Sequence, residues 1–123
     1  MKYSVDKKND RTIFQLNEEN LNSLVAPDLK SEFIILRNEG CKNLILDLQE
    51  VKYVDSSGLS AILTANRLWK GYGNFILTGV DHEPVKRLIE ISRLDSILNI
   101  MPGYDVIDEY LKSAPVDFMD EEE

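Results

Sequence analysis

The sequence predicts an α/β domain in which a mixed sheet of about five strands, mostly parallel in its core, is flanked by about four helices. Apolar runs typical of buried strands alternate with stretches of helical periodicity. Two of these runs, Leu44–Leu48 and Asn74–Val80, are joined by a segment of helix length, which predicts a parallel pair. A chain of 123 residues is long enough for one core, so we expect one domain.

The amino-terminal segment predicts an antiparallel hairpin. Short apolar stretches begin at Tyr3 and at Ile13, and Asn9-Asp10 between them supplies a turn. A polar loop over 17–20 follows the hairpin. The hairpin adds antiparallel strands to the parallel pair, and the predicted sheet is therefore mixed.

A helix is predicted over Leu24–Asn38, where apolar residues recur at helical spacing. Asn22 or Ser23 can cap it, and Pro27 is compatible with the helix only in its first turn. Gly40 supplies a stop. The predicted inner face consists of Leu29, Phe33 and Leu36.

The middle of the chain places two serines at a predicted helix start. After the strand at Leu44–Leu48 comes a short extended piece, Val51–Val54, and then the sequence Asp55-Ser56-Ser57-Gly58-Leu59. A helix is predicted from about Ser57 to Lys70, ending at Gly71. Binding sites in such sheets collect at the carboxyl ends of the strands, which makes this loop a candidate site.

The carboxyl-terminal part predicts two further helices around a last strand. Asp81 can cap the first helix, with Pro84 near its first turn. The last strand is predicted over Ser96–Ile100, and Pro102 breaks the chain before a final helix that ends near Ser113. The predicted inner residues are Val85, Leu88 and Ile89 in one helix, and Val106, Ile107, Tyr110 and Leu111 in the other.

Charge divides the chain into a domain over 1–113 and an acidic tail over 114–123. The formal net charge is −8, and five acidic residues lie within the last seven positions. We expect the tail to be solvated and flexible.

Composition also argues against several partners and compartments. Lysine and arginine are scattered along the chain, so direct nucleic-acid binding is not expected. No apolar stretch is long enough to span a bilayer and the amino terminus lacks a signal-peptide core, so we expect a cytoplasmic protein without membrane insertion. Cys41 and His82 are single residues of their types, and no Gly-rich phosphate loop is present, so neither a metal nor a cofactor is expected.

Catalysis by the serine pair lacks support in the sequence. Ser56 or Ser57 as a nucleophile needs a general base, and the sole histidine, His82, lies in a polar turn where a solvated or capping role is simpler. Asp47 and Asp55 could pair as carboxylates, but Asp47 lies at the end of an apolar strand and is more simply structural. The sequence therefore predicts a protein that is not an enzyme.

Two interpretations of the serine pair remain. In the first, Ser56 caps the helix and has no further role. Alternatively, a phosphoryl group on it would add about two negative charges at a surface that binds a partner, where an added dianion that must be desolvated is costly. A polar stripe of Ser60, Thr64 and Arg67 continues from the loop along the helix; it is either a solvated face or part of that surface.

The stretch Val54–Leu63 resembles the signature loop of STAS-domain anti-sigma-factor antagonists. The resemblance extends to Leu44–Leu48, to Val85–Ile89 and to Leu94–Leu98, and covers nearly the whole chain from Tyr3 to Leu111. It implies a STAS-like single domain with a small mixed sheet flanked by helices.

The resemblance also implies a function in bacterial partner switching, within transcription regulation and stress response signalling. The serine after the aspartate is the phosphoacceptor, which is Ser56 here, with Ser57 as the alternative acceptor and the better candidate for the cap. The unphosphorylated protein would bind an anti-sigma factor that is also a GHKL-type serine kinase, releasing a sigma factor. Phosphorylation would end binding and a PP2C-type phosphatase would restore it. The expected partner-binding residues are Asp55, Ser56, Ser57, Gly58, Ser60, Thr64, Arg67 and Asn22.

One departure from the family pattern supports an alternative. Many members carry a Thr-Gly-Glu-Leu-Asp-like stretch where this chain has Glu18–Asn22, so that Asn22 stands in place of an aspartate. The alternative is a STAS scaffold or accessory subunit of a signalling or lipid-transport complex that does not switch. A nucleotide-binding enzyme is a third hypothesis, disfavoured because the glycine loop is missing.

Overall fold

A five-stranded mixed sheet forms the centre of the computed structural model, which describes residues 1–8 and 10–113. The strands are β1 (Tyr3–Lys8), β2 (Arg11–Leu16), β3 (Asn20–Leu21), β4 (Asn43–Asp47), β5 (Tyr53–Val54), β6 (Asn74–Thr78) and β7 (Asn99–Ile100). The helices are α1 (Ala26–Asn38), α2 (Ser56–Trp69), α3 (Glu83–Ile91) and α4 (Tyr104–Ser113), with a short 3₁₀ turn at Leu94–Ser96.

The strand order of the large sheet is β1-β2-β4-β6-β7. β1 and β2 pair antiparallel, while β2, β4, β6 and β7 pair in parallel. This confirms the predicted fold class, including the hairpin and the parallel pair of β4 and β6. Asn9 of the predicted turn and the acidic tail over 114–123 lie outside the described residues.

The parallel core strands owe their apolar character to burial on both faces of the sheet. All five residues of β4 are buried. α1, α2 and α3 cover one face, where Phe33 of α1 lies within 6.5 Å, centroid to centroid, of Phe14, Trp69 and Phe75. α4 covers the other face through Ile107. The inner residues predicted for the first helix, Leu29, Phe33 and Leu36, are buried.

A second, two-stranded sheet was not predicted. β3 pairs in parallel with β5, which sets Leu21 opposite Val54. The predicted polar loop over 17–20 is therefore wrong at its last residue. Strands of two residues are too short to show periodicity, which explains why the sequence did not indicate β3.

Three helix starts differ from the prediction. Neither Asn22 nor Ser23 caps α1: the N-cap position is Val25, which makes no side-chain cap bond, and Asn22 Oδ1 accepts a hydrogen bond from the Leu24 amide at 3.0 Å. Asp81 does not cap α3, whose N-cap position is His82. The third case is α2, described below. Pro27 and Pro84 lie in first turns, as predicted.

The predicted strand over Ser96–Ile100 is shorter in the structure. Leu94–Ser96 forms the 3₁₀ turn instead, after Arg93 adopts a left-handed backbone conformation with φ of 59°. Only Asn99–Ile100 pairs with β6. The turn buries Leu94 and Leu98 in the main core, and this packing outweighs the local strand pattern.

Asp47, at the end of β4, has a structural role. It is 4% exposed, and its carboxylate accepts hydrogen bonds from the Gln49 amide at 2.9 Å and from the Tyr104 hydroxyl. Burial and this carboxylate both raise the pKa of Tyr104, because ionising the phenol would place two negative charges together. The bond ties the start of α4 to the centre of the sheet, in agreement with the structural interpretation of Asp47.

Candidate functional site

The candidate site is the first turn of α2, which follows directly on β5. Asp55 is the N-cap residue, with an extended backbone, and its Oδ1 accepts a hydrogen bond from the Gly58 amide at 2.9 Å. The prediction that Ser57, or Ser56, caps this helix is therefore wrong. Aspartate and serine are both good N-cap residues, so an Asp-Ser-Ser sequence alone does not show which one caps.

Neither serine has a structural role in this turn. Ser56 is exposed and Ser57 is half-buried. No hydrogen bond of either hydroxyl occurs among the residues that the structure describes. Ser56, the first helical residue, therefore presents its hydroxyl to solvent at the end of a helix that favours negative charge.

Gly58 holds the loop against β3. It is buried, and a Cβ added to it would lie 2.3 Å from the Leu21 carbonyl oxygen and 2.7 Å from Leu21 Cγ. A further contact joins the Asp55 amide to the same carbonyl at 3.2 Å. Gly58 thus has a packing role, and its predicted contact with a partner stays a prediction.

Asn22 lies beside the loop because it follows Leu21 in β3, just as Asp55 follows Val54 in β5. The structure therefore brings these two predicted site residues together. An aspartate at position 22 could accept the same bond from the Leu24 amide, so the local turn does not require a neutral side chain. Compared with an aspartate at this position, Asn22 makes the same turn without a negative charge.

The predicted stripe forms one continuous strip on α2. Ser60 and Arg67 are exposed and Thr64 is half-buried. The Thr64 hydroxyl donates to the Ser60 carbonyl at 2.9 Å, and Arg67 Nη2 donates to Thr64 Oγ1 at 3.5 Å. At 1.5 Å per residue, Arg67 lies about 16 Å along the helix from Ser56. The stripe therefore extends from the loop over most of one helix face.

A shallow depression of about 370 Å³ lies between the starts of α1 and α2. It has two features that the sequence did not indicate. Helix α1 forms one wall, and Lys30 is the one cationic side chain among the described residues that line it. The packing of α1 against α2 brings these residues together across about 30 positions, a separation over which no sequence motif could connect them. The lining residues are Ser23, Ala26, Pro27, Lys30, Ser56, Ser57 and Ser60.

No general base is found among the described residues that line the depression. His82 does not line it, and its Nε2 lies 3.1 Å from the Gln49 carbonyl oxygen. Over residues 1–8 and 10–113, no three histidine, cysteine or acidic side chains are grouped so as to hold a metal ion. Nor does that part of the chain include a helix with the length and apolarity needed to cross a membrane.

The fold and the site together define a small α/β domain that presents a serine pair at the start of a helix. The model of the STAS domain family matches residues 2–109. This chain therefore belongs to the STAS domain family, as its sequence resemblance indicates. The anti-sigma-B factor antagonist of Staphylococcus epidermidis is 29% identical to it over 87 residues, which span 70% of this chain and 80% of that protein.

Solved structures support the same assignment. A candidate anti-sigma factor antagonist from Thermotoga maritima superposes with a TM-score of 0.82 at 26% identity, covering 89% of this chain and 94% of the other. The anti-sigma factor antagonist SpoIIAA in its unphosphorylated form gives a TM-score of 0.69 at 12% identity, covering 92% and 100% of the two chains. Bacillus SpoIIAA in its phosphorylated form gives a TM-score of 0.67 at 15% identity, covering 88% of this chain and 98% of the other. At these two identities the likeness shows the fold alone.

Replacing Asp55 by alanine should lower the free energy of unfolding by about 1 kcal/mol, because the Gly58 amide loses its acceptor. Asp55→Asn should stay close to the parent protein, since the amide oxygen can accept the same bond. Urea unfolding followed by circular dichroism measures both. Asp81→Ala is the matched control: Asp81 is an exposed aspartate just before a helix that it does not cap. Equal losses in Asp55→Ala and Asp81→Ala would contradict the assigned cap.

Proposed function

We propose that this protein is an anti-sigma factor antagonist controlled by phosphorylation of Ser56, and not an enzyme. Its unphosphorylated form binds an anti-sigma factor that is also a GHKL-type serine kinase, and thereby releases a sigma factor. Phosphorylation ends the binding and a PP2C-type phosphatase restores it. The observation that carries this proposal is the exposed hydroxyl of Ser56, which makes no hydrogen bond to any described residue, while Asp55 caps the helix in its place.

The exposed hydroxyl supports the proposal that another protein modifies Ser56. A capping serine would have to break a bond to the helix before a kinase could act on it, whereas Ser56 has no such bond. A phosphoryl group there meets the positive end of α2, so the fold tolerates it. The added charge therefore acts mainly on whatever binds the surface around it.

The proposed partner-binding surface consists of the loop and the exposed strip on α2. Its members are Asn22, Asp55, Ser56, Ser57, Ser60, Thr64 and Arg67. A dianion within such a surface must be desolvated when the partner binds, and a cost of several kcal/mol changes affinity by orders of magnitude. The names of the relatives support an anti-sigma factor as that partner.

A non-switching scaffold is the second candidate, and Asn22 favours it. This side chain keeps the turn that an aspartate could make, but it brings no negative charge to the loop. A kinase that recognises that charge would act poorly on this chain. The scaffold hypothesis predicts a stable complex that is indifferent to the charge at position 56.

The direct test is incubation of the full chain with a purified GHKL-type serine kinase from the same organism and ATP, followed by phosphopeptide mapping. We expect one phosphoryl group, on Ser56, which is lost in Ser56→Ala and retained in Ser57→Ala. Phosphate on Ser57 alone would reassign the acceptor to the alternative serine. Efficient phosphorylation confined to residues outside 55–58 would refute the proposal.

A further inference from the structure

Among the described residues, Lys30 is the one cation that lines the depression containing Ser56 and Ser57. We infer that Lys30 is the counter-ion of the phosphoryl group on Ser56, so that a residue of α1 stabilises the phosphorylated form of the α2 loop. This inference rests on the proposed function and adds to it the residue that receives the phosphate within the same chain.

Within the described part of the chain, Lys30 has no acidic partner. None of the ion pairs between described residues involves it, and its side chain is half-buried against the depression. Lys30 follows Ala26 and Pro27 by four and three positions, so the three residues share one face of α1. All three line the depression, which indicates that this face is the one turned toward the serines.

The negative groups nearby do not compete for this lysine. Asp28 and Glu32 lie two positions from Lys30 on α1, and residues two apart do not face each other on a helix. Neither lines the depression. Asp55 precedes the acceptor serine and keeps its negative charge, but it does not line the depression, and its Oδ1 accepts from the Gly58 amide. Over residues 1–8 and 10–113, no carboxylate lines the depression and the only formal charge there is positive.

The ends of two helices add to this potential. Ala26 is the first residue of α1 and Ser56 is the first residue of α2, and both line the depression. Each helix amino terminus carries partial positive charge. A lysine at the same place supplies a charge-assisted hydrogen bond, which is stronger than a neutral one. These groups together favour the dianionic form of a phosphoserine and oppose the repulsion from Asp55.

The inference predicts a measurable effect on the ionisation of the phosphate. The second pKa of phosphoserine is about 6. A nearby ammonium group stabilises the dianion and lowers that pKa, while its removal raises it. For a partly exposed pair we expect a difference of about half a pH unit at low salt. The difference should shrink at about 1 M salt, where screening is strong.

The experiment installs phosphoserine at position 56 of the full chain during translation, so that no kinase is needed. Phosphorus-31 NMR titration then gives the second pKa in the parent chain and in Lys30→Gln, Lys30→Arg and Lys70→Gln. We expect Lys30→Gln to raise the pKa by about half a pH unit. Lys30→Arg should keep it near the parent value. Lys70→Gln removes the same formal charge, but it should leave the pKa unchanged, because Lys70 is exposed at the far end of α2.

Equal pKa values in the parent chain and Lys30→Gln would overturn the inference. An equal rise in Lys70→Gln would overturn it as well, because it would show an effect of net charge alone. The titration requires no kinase and no partner. A chain whose Ser56 is never phosphorylated by the kinase fails the phosphopeptide mapping and can still show the Lys30 effect, so the two failures are distinguishable.

Discussion

Ser56→Asp is expected to weaken binding to the anti-sigma partner by at least about 100-fold, which corresponds to nearly 3 kcal/mol. The aspartate places a second carboxylate next to Asp55 within the proposed interface. Ser56→Ala should bind like the parent chain, because the serine hydroxyl makes no hydrogen bond within the described part of the chain. Isothermal titration calorimetry of the full chain against the purified partner gives all three affinities.

The fold itself should be unaffected by this substitution. Ser56 is exposed and is the first residue of α2, where the helix dipole favours an acidic side chain. The melting temperature of Ser56→Asp should therefore equal or slightly exceed that of the parent protein, while its affinity falls. Ser4→Asp is the matched control, since Ser4 is an exposed serine on the edge strand β1. Equal affinities for Ser56→Ala and Ser56→Asp would favour the scaffold hypothesis instead.

The parts of this fold that depend on apolar pattern could be predicted from sequence, and the parts that depend on packing between distant segments could not. Leu44–Leu48 and Asn74–Val80 are apolar because parallel strands are covered on both faces, so their identity and pairing were predictable. Ser96, by contrast, is the first residue of the predicted last strand, yet it lies in a 3₁₀ turn with Leu94. The burial of Leu94 in the core determines that conformation.

The same distinction applies to the site. The serine loop was predictable because it lies between a strand and a helix, and its residues are adjacent in sequence. The helix cap was assigned to the wrong residue because Asp55, Ser56 and Ser57 are all competent and only the backbone register separates them. Lys30 could not have been predicted, since its proximity to the serines depends on how α1 packs against α2.

Gly58→Ala is expected to cost about 3 kcal/mol of stability and to lower the melting temperature by roughly 10 °C. A Cβ at this position would lie 2.3 Å from the Leu21 carbonyl oxygen, so either β3 or the first turn of α2 has to move. Thermal and urea unfolding measure the loss. Gly103→Ala is the control: a Cβ there meets nothing within 4 Å, and we expect a cost below about 1 kcal/mol.

A double mutant identifies the origin of the cost. The Leu21 side chain contributes one of the short contacts, at 2.7 Å from its Cγ, and Leu21→Ala removes that contact but leaves the backbone carbonyl in place. Gly58→Ala should therefore still destabilise the Leu21→Ala protein by about 1–2 kcal/mol. A Gly58→Ala change that costs nothing in the Leu21→Ala background would show that the side chain, and not the carbonyl, excludes a larger residue.

Comparing Gly58→Ala with Ser56→Asp distinguishes two causes of weaker partner binding. Ser56→Asp changes the charge of the surface and leaves its geometry intact, so binding falls while stability does not. Gly58→Ala displaces the turn that carries Asp55 and Ser56, so binding and stability fall together. If Gly58→Ala reduced partner affinity without lowering the melting temperature, Gly58 would contact the partner directly, and the packing role assigned to it would be wrong.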